Sequence, residues 1–203
     1  MILNSLYLAP IEYYSALFRA ERVVIEMHDN YQKQSYRNRC QIAGANGAIS
    51  LSIPIEKPVT AKCKMKDIRI SEHGNWRHLH WNAIISAYRS SPFFEYYEDD
   101  FRPFYEKKQT FLHDFNEELR QLICRLIGIQ TPVFYTDAYM ETVPSTITDL
   151  REIIHPKKTP IAETPVYYQV FAEKNGFIPN LSIIDLLFNR GNEGRLVLSS
   201  FRA

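Results

Sequence analysis

A polar segment over residues 28–42, HDNYQKQSYRNRCQI, has the residue types that bind anionic or hydroxyl-bearing ligands, and it follows a predicted strand. Loops after strands are common functional sites, because the rigid strand holds them in place. Arginine binds phosphate or carboxylate through two parallel donors, and lysine binds as a point charge. The candidate binding residues are Gln32, Lys33, Tyr36, Arg37, Asn38 and Arg39, and Asp29 is a candidate catalytic carboxylate. The alternative interpretation is a solvated connector with internal salt bridges.

A second group of candidate residues lies in WRHLHWNAIISAYRSSPFFEYYEDD, residues 76–100. Trp76 and His80 are one helical turn apart, so they share a helix face. His80 is a candidate general base, and a hydrogen-bonded core histidine is an equally good interpretation. Trp76, Trp81 and Tyr88 are candidate substrate-binding residues, because aromatic rings with polar tips suit ligand pockets.

The third candidate is Asp185, which lies between apolar pairs in the predicted helix SIIDLLF. A buried carboxylate without a partner is costly, so Asp185 needs a hydrogen-bond or ionic partner. It is either a structural carboxylate or, like Asp29, the group that orients His80 for proton transfer. Asn180, just before this helix, is a further candidate binding residue.

Several common catalytic motifs are absent from the sequence. There is no HExxH or two-metal spacing, no GxxxxGK[ST] or GxGxxG loop and no GxSxG elbow. We therefore predict no metal site, and the sequence specifies no cofactor. Cys40, Cys63 and Cys124 are widely spaced and odd in number, which favours a reducing compartment over a disulfide framework.

Charge and hydropathy narrow the class of partner. The formal net charge of the 203 residues is only +1, so no global field attracts nucleic acid or an acidic membrane. No apolar run reaches the roughly 20 residues of a membrane helix, and no signal-peptide pattern begins the chain. The sequence predicts a cytoplasmic protein with a small-molecule substrate, no nucleic-acid partner and no membrane span.

The hydrophobic pattern predicts an α/β fold: a mixed sheet with an antiparallel hairpin, flanked by helices in a single compact domain over residues 1–203. Strand, helix and strand within the first 28 residues indicate a βαβ unit. A proline-rich loop is expected around residues 155–166. The predicted strands are 2–9, 23–28, a hairpin over 39–55 turning at Asn46-Gly47, 66–71, 132–136 and 166–171. One predicted helix begins at Pro10, and another begins at Asn75 and is broken at Pro92. A short helix with a turn at Pro103 is predicted over 93–108, and further helices are predicted over 110–128, 148–154 and 180–191.

Three stretches resemble the WbqC-like protein family of bacteria: YLAPIEYY with NYQKQSYRNRC, the tryptophan-bearing segment 76–100, and YYQVFAEKNGFIPNLSIIDLLFNRG. The resemblance implies an association with surface polysaccharide such as O-antigen. It also implies action on sugars, or transfer of a small acyl or aminoacyl group to them. Many relatives have a His-Gln pair ahead of the Tyr-Leu-Pro segment, and Asn4-Ser5 occupies that place here.

Two functional hypotheses follow. In the first, a transferase holds the phosphate or carboxylate of an activated sugar or aminoacyl donor with its basic segment, and His80 moves the proton. In the second, the chain is a non-catalytic binding protein for a glycan, a nucleotide sugar or a biosynthetic partner. The aromatic residues of FFEYYEDDFRPFY also suit a homodimer surface. The catalytic hypothesis requires the basic segment, His80 and Asp185 to surround one cavity.

Overall fold

The computed structural model describes residues 1–57 and 62–201. Its helices and strands, in chain order, are β1 (Ile2–Asn4), α1 (Ile11–Arg19), β2 (Val23–Glu26), β3 (Arg39–Gly44), β4 (Gly47–Ser52), α2 (Trp76–Tyr88), α3 (Phe94–Glu106), α4 (Leu112–Ile127), β5 (Val133–Tyr135), α5 (Ala172–Asn175), α6 (Ile183–Arg190) and α7 (Gly194–Ser199). Short 3₁₀ helices lie at Met65–Asp67, His73–Asn75 and Gly191–Glu193. The predicted α/β class is confirmed.

The central sheet is parallel and has the strand order β1-β2-β5. Ile2 pairs with Val24, and Val24 pairs in turn with Phe134. Because β1 and β2 run parallel, the chain must cross over between them, and α1 makes that crossover. The predicted βαβ unit is therefore present, although β1 ends at Asn4 rather than at residue 9.

The predicted hairpin forms a separate two-stranded sheet from β3 and β4. Gly44 pairs with Gly47, so the two turn residues are Ala45 and Asn46, one position earlier than expected. Gly47 has φ of 109°, a conformation that glycine adopts without a steric penalty. The Asn46-Gly47 pair thus marks the hairpin, with Gly47 alone supplying the positive φ.

Helices α2, α3, α4 and α6 match predicted helices, but the expected turn at Pro103 does not occur. Pro103 lies inside α3, where it removes one backbone donor. Phe101 and Tyr105, on either side, are both buried. Tertiary packing of these two rings outweighs the local cost of the proline, because packing supplies most helical stability in proteins.

Three predicted elements are wrong. Residues 66–71 form no strand, since Arg69 and Ile70 make only isolated bridges to Phe111 and Ile55. Residues 148–154 form turns instead of a helix, and residues 166–171 form no strand among the described residues. Each segment is held by isolated tertiary contacts, which leave no periodic trace in a sequence. Helix α7 was not predicted.

One hydrophobic core cluster extends from Leu3 to Phe201 and includes residues on both sides of the proline-rich segment 155–166. Helix α6 is buried against α1, α3, α7 and β3. The organisation as a single domain over residues 1–203 stays a prediction. Within residues 1–57 and 62–201, no helix is long and apolar enough to span a bilayer.

The aromatic segment proposed as a homodimer surface is mostly used inside the fold. Phe94, Tyr97, Phe101 and Tyr105 of α3 are buried, whereas Tyr96 is 78% exposed. The homodimer stays a prediction, and the apolar surface that α3 offers to it is smaller than the sequence suggested.

Candidate functional site

The loop after β2 is built around a buried ion pair between Asp29 and Arg37. The Arg37 Nε donates to Asp29 Oδ2 at 3.1 Å, and its Nη1 donates to Gln32 Oε1 at 3.2 Å. Burial raises the pKa of Asp29, and Arg37 opposes that effect. With only 2% of its side chain exposed, Arg37 stabilises the loop and has no face open to a ligand.

The other candidate residues of this segment have different environments. Lys33 is exposed and Tyr36 is buried. Asn38 Nδ2 donates to the Ile53 carbonyl at 2.8 Å, and Arg39 Nε donates to Ser52 Oγ at 3.1 Å. Asn38 and Arg39 therefore attach the end of this loop to the end of the hairpin.

The Asn4-Ser5 pair lies at the carboxyl end of β1. Both residues are buried. Asn4 Nδ2 donates to the Arg151 carbonyl at 2.6 Å, while Asn4 Oδ1 and Ser5 Oγ have no partner among the described residues. The neighbouring Glu26 carboxylate is fully buried and is 3.1 Å from Arg151 Nη1.

His80 belongs to a buried chain of hydrogen bonds. Its Nδ1 is 3.0 Å from the Tyr7 hydroxyl, which is 3.0 Å from the Tyr105 hydroxyl. The imidazole also packs edge-on against Trp76. Burial lowers the pKa of His80 to about 4 and raises the pKa of Tyr7 well above its usual value. At neutral pH the whole chain is uncharged.

Asp185 lies in a third cluster, near the end of the chain. Its carboxylate accepts hydrogen bonds from the Tyr167 hydroxyl and, at 2.9 Å, from Gln169 Nε2. Burial raises the pKa of Asp185 to about 6. Tyr88 lies beside this carboxylate, and its hydroxyl accepts from the Ala43 amide at 3.1 Å.

Asn180, near this cluster, forms two hydrogen bonds with Glu12 of α1. Its Oδ1 accepts from the Glu12 amide at 3.1 Å, and its Nδ2 donates to Glu12 Oε1 at 2.8 Å. The structure thus distributes Asp29, His80 and Asp185 over three clusters, so the arrangement around one cavity that the catalytic hypothesis required is not observed. In the described part of the chain, no hydrogen bond joins any two of these three groups.

The structure does bring Trp76 and Trp81 together, in an open groove of about 350 Å³. We call it the tryptophan groove. It is lined by Glu72, Asn75, Trp76, Arg77, His78, Trp81, Tyr105, Glu106 and Lys108. The first turns of α2 form one wall, and the end of α3 with the residues after it forms the other. The volume lies in the range typical of small-molecule sites.

The groove contains buried donors that have no acceptor. Trp76 Nε1, Arg77 Nε and Arg77 Nη2 are all without a partner among the described residues. Trp76 is 4% exposed, and the Arg77 side chain is 10% exposed. An unpaired buried donor costs about 1–3 kcal/mol, so these donors are available for a hydrogen bond to water or to a ligand in the groove.

The charged side chains that line the groove balance each other, since Arg77 and Lys108 are matched by Glu72 and Glu106. Arg77 Nη1 donates to Glu72 Oε2 at 2.8 Å, and Lys108 Nζ lies 3.7 Å from the same oxygen. The hydrogen bond from Arg77 is the main cause that lowers the pKa of Glu72. Arg77 also lies over the Trp76 ring at 4.7 Å, which orients the guanidinium. Two cations and an indole N–H thus surround one exposed carboxylate.

The aromatic part of the groove connects to His80. Trp81 stacks on Tyr105 with ring centroids 5.4 Å apart. Tyr105 also begins the hydrogen-bonded chain through Tyr7 to His80. A ring-shaped ligand beside Trp81 would therefore lie next to the hydroxyl chain that ends at the imidazole.

Arg77, Glu72 and Lys108 were not predicted as site residues. Arg77 directly follows Trp76 in the sequence, and this adjacent tryptophan and arginine could have indicated Arg77 as a site residue. Lys108 follows α3, and no sequence spacing links it to α2. Among residues 1–57 and 62–201, no three His, Cys, Asp or Glu side chains lie close enough together to hold a metal ion.

The fold and the groove define an α/β protein with a small parallel sheet, a separate hairpin and an aromatic site formed by helices. The chain belongs to the WbqC-like protein family, whose model matches residues 5–155. That range includes the tryptophan groove and His80, and it excludes Asp185 and Asn180. The chain is 25% identical, over 218 aligned positions, to the uncharacterized protein Rv1507c of Mycobacterium tuberculosis, covering 95% of this chain and 94% of that protein. No solved structure matches the chain.

Proposed function

We propose that this protein is a transferase that acts on a sugar in bacterial surface-polysaccharide biosynthesis. In this proposal the tryptophan groove binds the phosphate or carboxylate of an activated acyl or aminoacyl donor. A sugar hydroxyl attacks the donor's acyl carbonyl carbon, the bond from that carbon to the leaving group breaks, the leaving group departs with the bonding electron pair, and the hydroxyl proton passes to His80. The observation that carries the proposal is the set of unpaired donors on Trp76 and Arg77 at a groove of ligand size. Membership of the WbqC-like family supports the choice of sugar chemistry.

Each wall of the groove has a distinct role in this proposal. Arg77 and Trp76 Nε1 donate hydrogen bonds to the oxygens of the anion through the donors that have no partner among the described residues. Trp81 supplies an apolar ring face for a sugar or base. His80 is the proton-transfer group, and Tyr105 with Tyr7 would conduct the proton between the groove and the imidazole.

Non-catalytic binding of a glycan, a nucleotide sugar or a biosynthetic partner is the second candidate function. It is favoured by the absence of an activated nucleophile beside the groove in the described residues. Burial raises the pKa of the Tyr7 and Tyr105 hydroxyls and of the Cys40 thiol, so each of these groups is protonated at neutral pH. The lowered pKa of His80 makes it a weak base.

A binding experiment tests the groove. The dissociation constant for UDP-glucose is measured by isothermal titration calorimetry for the wild type, Arg77→Ala and Arg89→Ala. Arg89 is exposed at the end of α2 and does not line the groove, so its variant is a control for loss of one positive charge. We expect Arg77→Ala to weaken binding about tenfold or more, which corresponds to about 1.4 kcal/mol. Equal affinity of the two variants would remove the groove from the proposal.

A second measurement separates the two functions. The protein is incubated with acyl and aminoacyl donors and a sugar acceptor, and the molecular mass of the acceptor is measured by mass spectrometry. A gain in acceptor mass supports the transferase. UDP-glucose binding without any change in acceptor mass supports the binding protein.

A further inference from the structure

A second pocket, of about 370 Å³, lies between the start of α4 and the ends of β2 and β5. Its wall includes His113, Asp114, Glu117 and Glu118 of α4 and Tyr135 of β5. His113 and Glu117 are one helical turn apart and therefore share a face. The carboxyl ends of parallel strands are the usual place for ligands in α/β folds.

Two buried side chains of this wall have unused hydrogen-bonding atoms. His113 is 4% exposed, and neither ring nitrogen has a partner among the described residues. The nearest carboxylate oxygen, on Asp114, is 3.5 Å from His113 Nδ1 without forming a hydrogen bond. Glu117 is 5% exposed, and its Oε1 is also without a partner.

The other carboxylate oxygen of Glu117, Oε2, accepts two hydrogen bonds. Glu117 Oε2 accepts from Arg120 Nε at 2.7 Å and from the Tyr135 hydroxyl at 3.2 Å. These bonds fix the position of the carboxylate, and Glu117 is one of the residues that line the pocket. Burial acts to lower the pKa of Arg120, but the neighbouring Glu117, Tyr13 and Cys124 side chains together raise it.

The charge of the pocket defines its ligand. Asp114, Glu117 and Glu118 contribute three carboxylates, and no lysine or arginine of the described chain lines the pocket. The nearby guanidinium of Arg120 is paired with Glu117. An anionic ligand would be repelled here, whereas a protonated amine brings a positive charge and three donors. Those donors match Glu117 Oε1 and an acceptor nitrogen of His113.

We propose that this pocket binds a small molecule that carries a protonated primary amine, with the ammonium group at Glu117 Oε1 and His113. Within residues 1–57 and 62–201, the pocket shares no lining residue with the tryptophan groove. It has the opposite preference, since the groove presents unpaired donors and this pocket presents unpaired acceptors. The two sites therefore take chemically different ligands.

Glucosamine and N-acetylglucosamine test the proposal, because they share a ring and differ in the charged amine. Affinities are measured at neutral pH by following the His113 imidazole signals in NMR titrations. We expect glucosamine to bind about tenfold more tightly than N-acetylglucosamine. Glu117→Gln should abolish that preference, while Arg89→Ala, at an exposed position that lines neither site, should leave it unchanged.

Glu117→Gln leaves Arg120 without its charged partner and risks unfolding, so a second variant is needed. Asp114 and Glu118 are exposed, and Asp114→Asn with Glu118→Gln removes two charges without breaking a buried pair. We expect this double variant to bind glucosamine about threefold less tightly and N-acetylglucosamine equally well. Equal affinity of the wild type for both sugars, or no movement of the His113 signals, would overturn the proposal.

Discussion

Two buried titratable groups give this protein opposing dependences of stability on pH. The pKa of His80 is lowered from 6.5 to about 4, and that of Asp185 is raised from 3.8 to about 6, both by burial. His80 prefers to be neutral in the folded state, and so does Asp185. The two groups therefore act in opposite directions as the pH falls.

The sign for His80 follows from proton binding. Between about pH 6.5 and pH 4 the unfolded chain binds a proton at His80 and the folded chain does not, so acid favours unfolding. The stabilisation is complete above the unfolded pKa and is lost as the pH falls towards the folded value. A pKa difference of about 2.5, at about 1.36 kcal/mol per unit, gives a loss of about 3 kcal/mol.

The sign for Asp185 is the reverse. Between about pH 6 and pH 3.8 the folded chain binds a proton at Asp185 and the unfolded chain does not, so acid favours folding through this group. The difference of about 2.2 corresponds to a gain of about 3 kcal/mol. The two contributions nearly cancel over the same pH range.

Substitution of His80 should reveal its contribution to the pH dependence of the free energy of unfolding. The free energy of unfolding is measured by urea titration for the wild type and His80→Gln at about pH 7 and about pH 4. Relative to the variant, the wild type should lose about 3 kcal/mol on acidification. Asp185→Asn provides the complementary comparison, with the opposite sign and similar size. A difference between wild type and His80→Gln that is the same at both pH values would refute the burial argument for His80.

Two further predictions concern the loop after β2 and the hairpin. Asp29→Asn leaves Arg37 charged and unpaired in a buried site, so the free energy of unfolding should fall by about 3 kcal/mol or more, whereas Lys33→Ala at the exposed position should change it by less than about 0.5 kcal/mol. Urea titration of both variants checks this, and a loss below about 1 kcal/mol for Asp29→Asn would contradict the pairing. Gly47→Ala should cost about 1 kcal/mol because Gly47 has φ of 109°, although a Cβ there meets nothing within 4 Å. A thermal midpoint unchanged from that of the wild type would show that the hairpin tolerates the strain.

The sequence by itself determined the elements whose signals are local. The β1-α1-β2 unit, the hairpin and α4 were all predicted, because apolar periodicity reports which face of a segment is buried. Gly47 and Gly128 were predicted at a turn and a helix end, and both have positive φ. The family resemblance was equally accessible, since it depends on residue order rather than on contacts.

Tertiary structure alone decided which polar residues are free to bind a ligand. Arg37 and Arg77 are both arginines near aromatic residues. Arg37 forms a buried ion pair with Asp29, whereas two donor atoms of Arg77 have no partner among the described residues. The same holds for His80 and His113, of which only His113 has both ring nitrogens unpaired in the described chain. Hydrogen-bond partners come from distant segments of the chain. Local sequence patterns therefore predict which helix or strand a side chain belongs to, but they do not show which distant group is hydrogen-bonded to it.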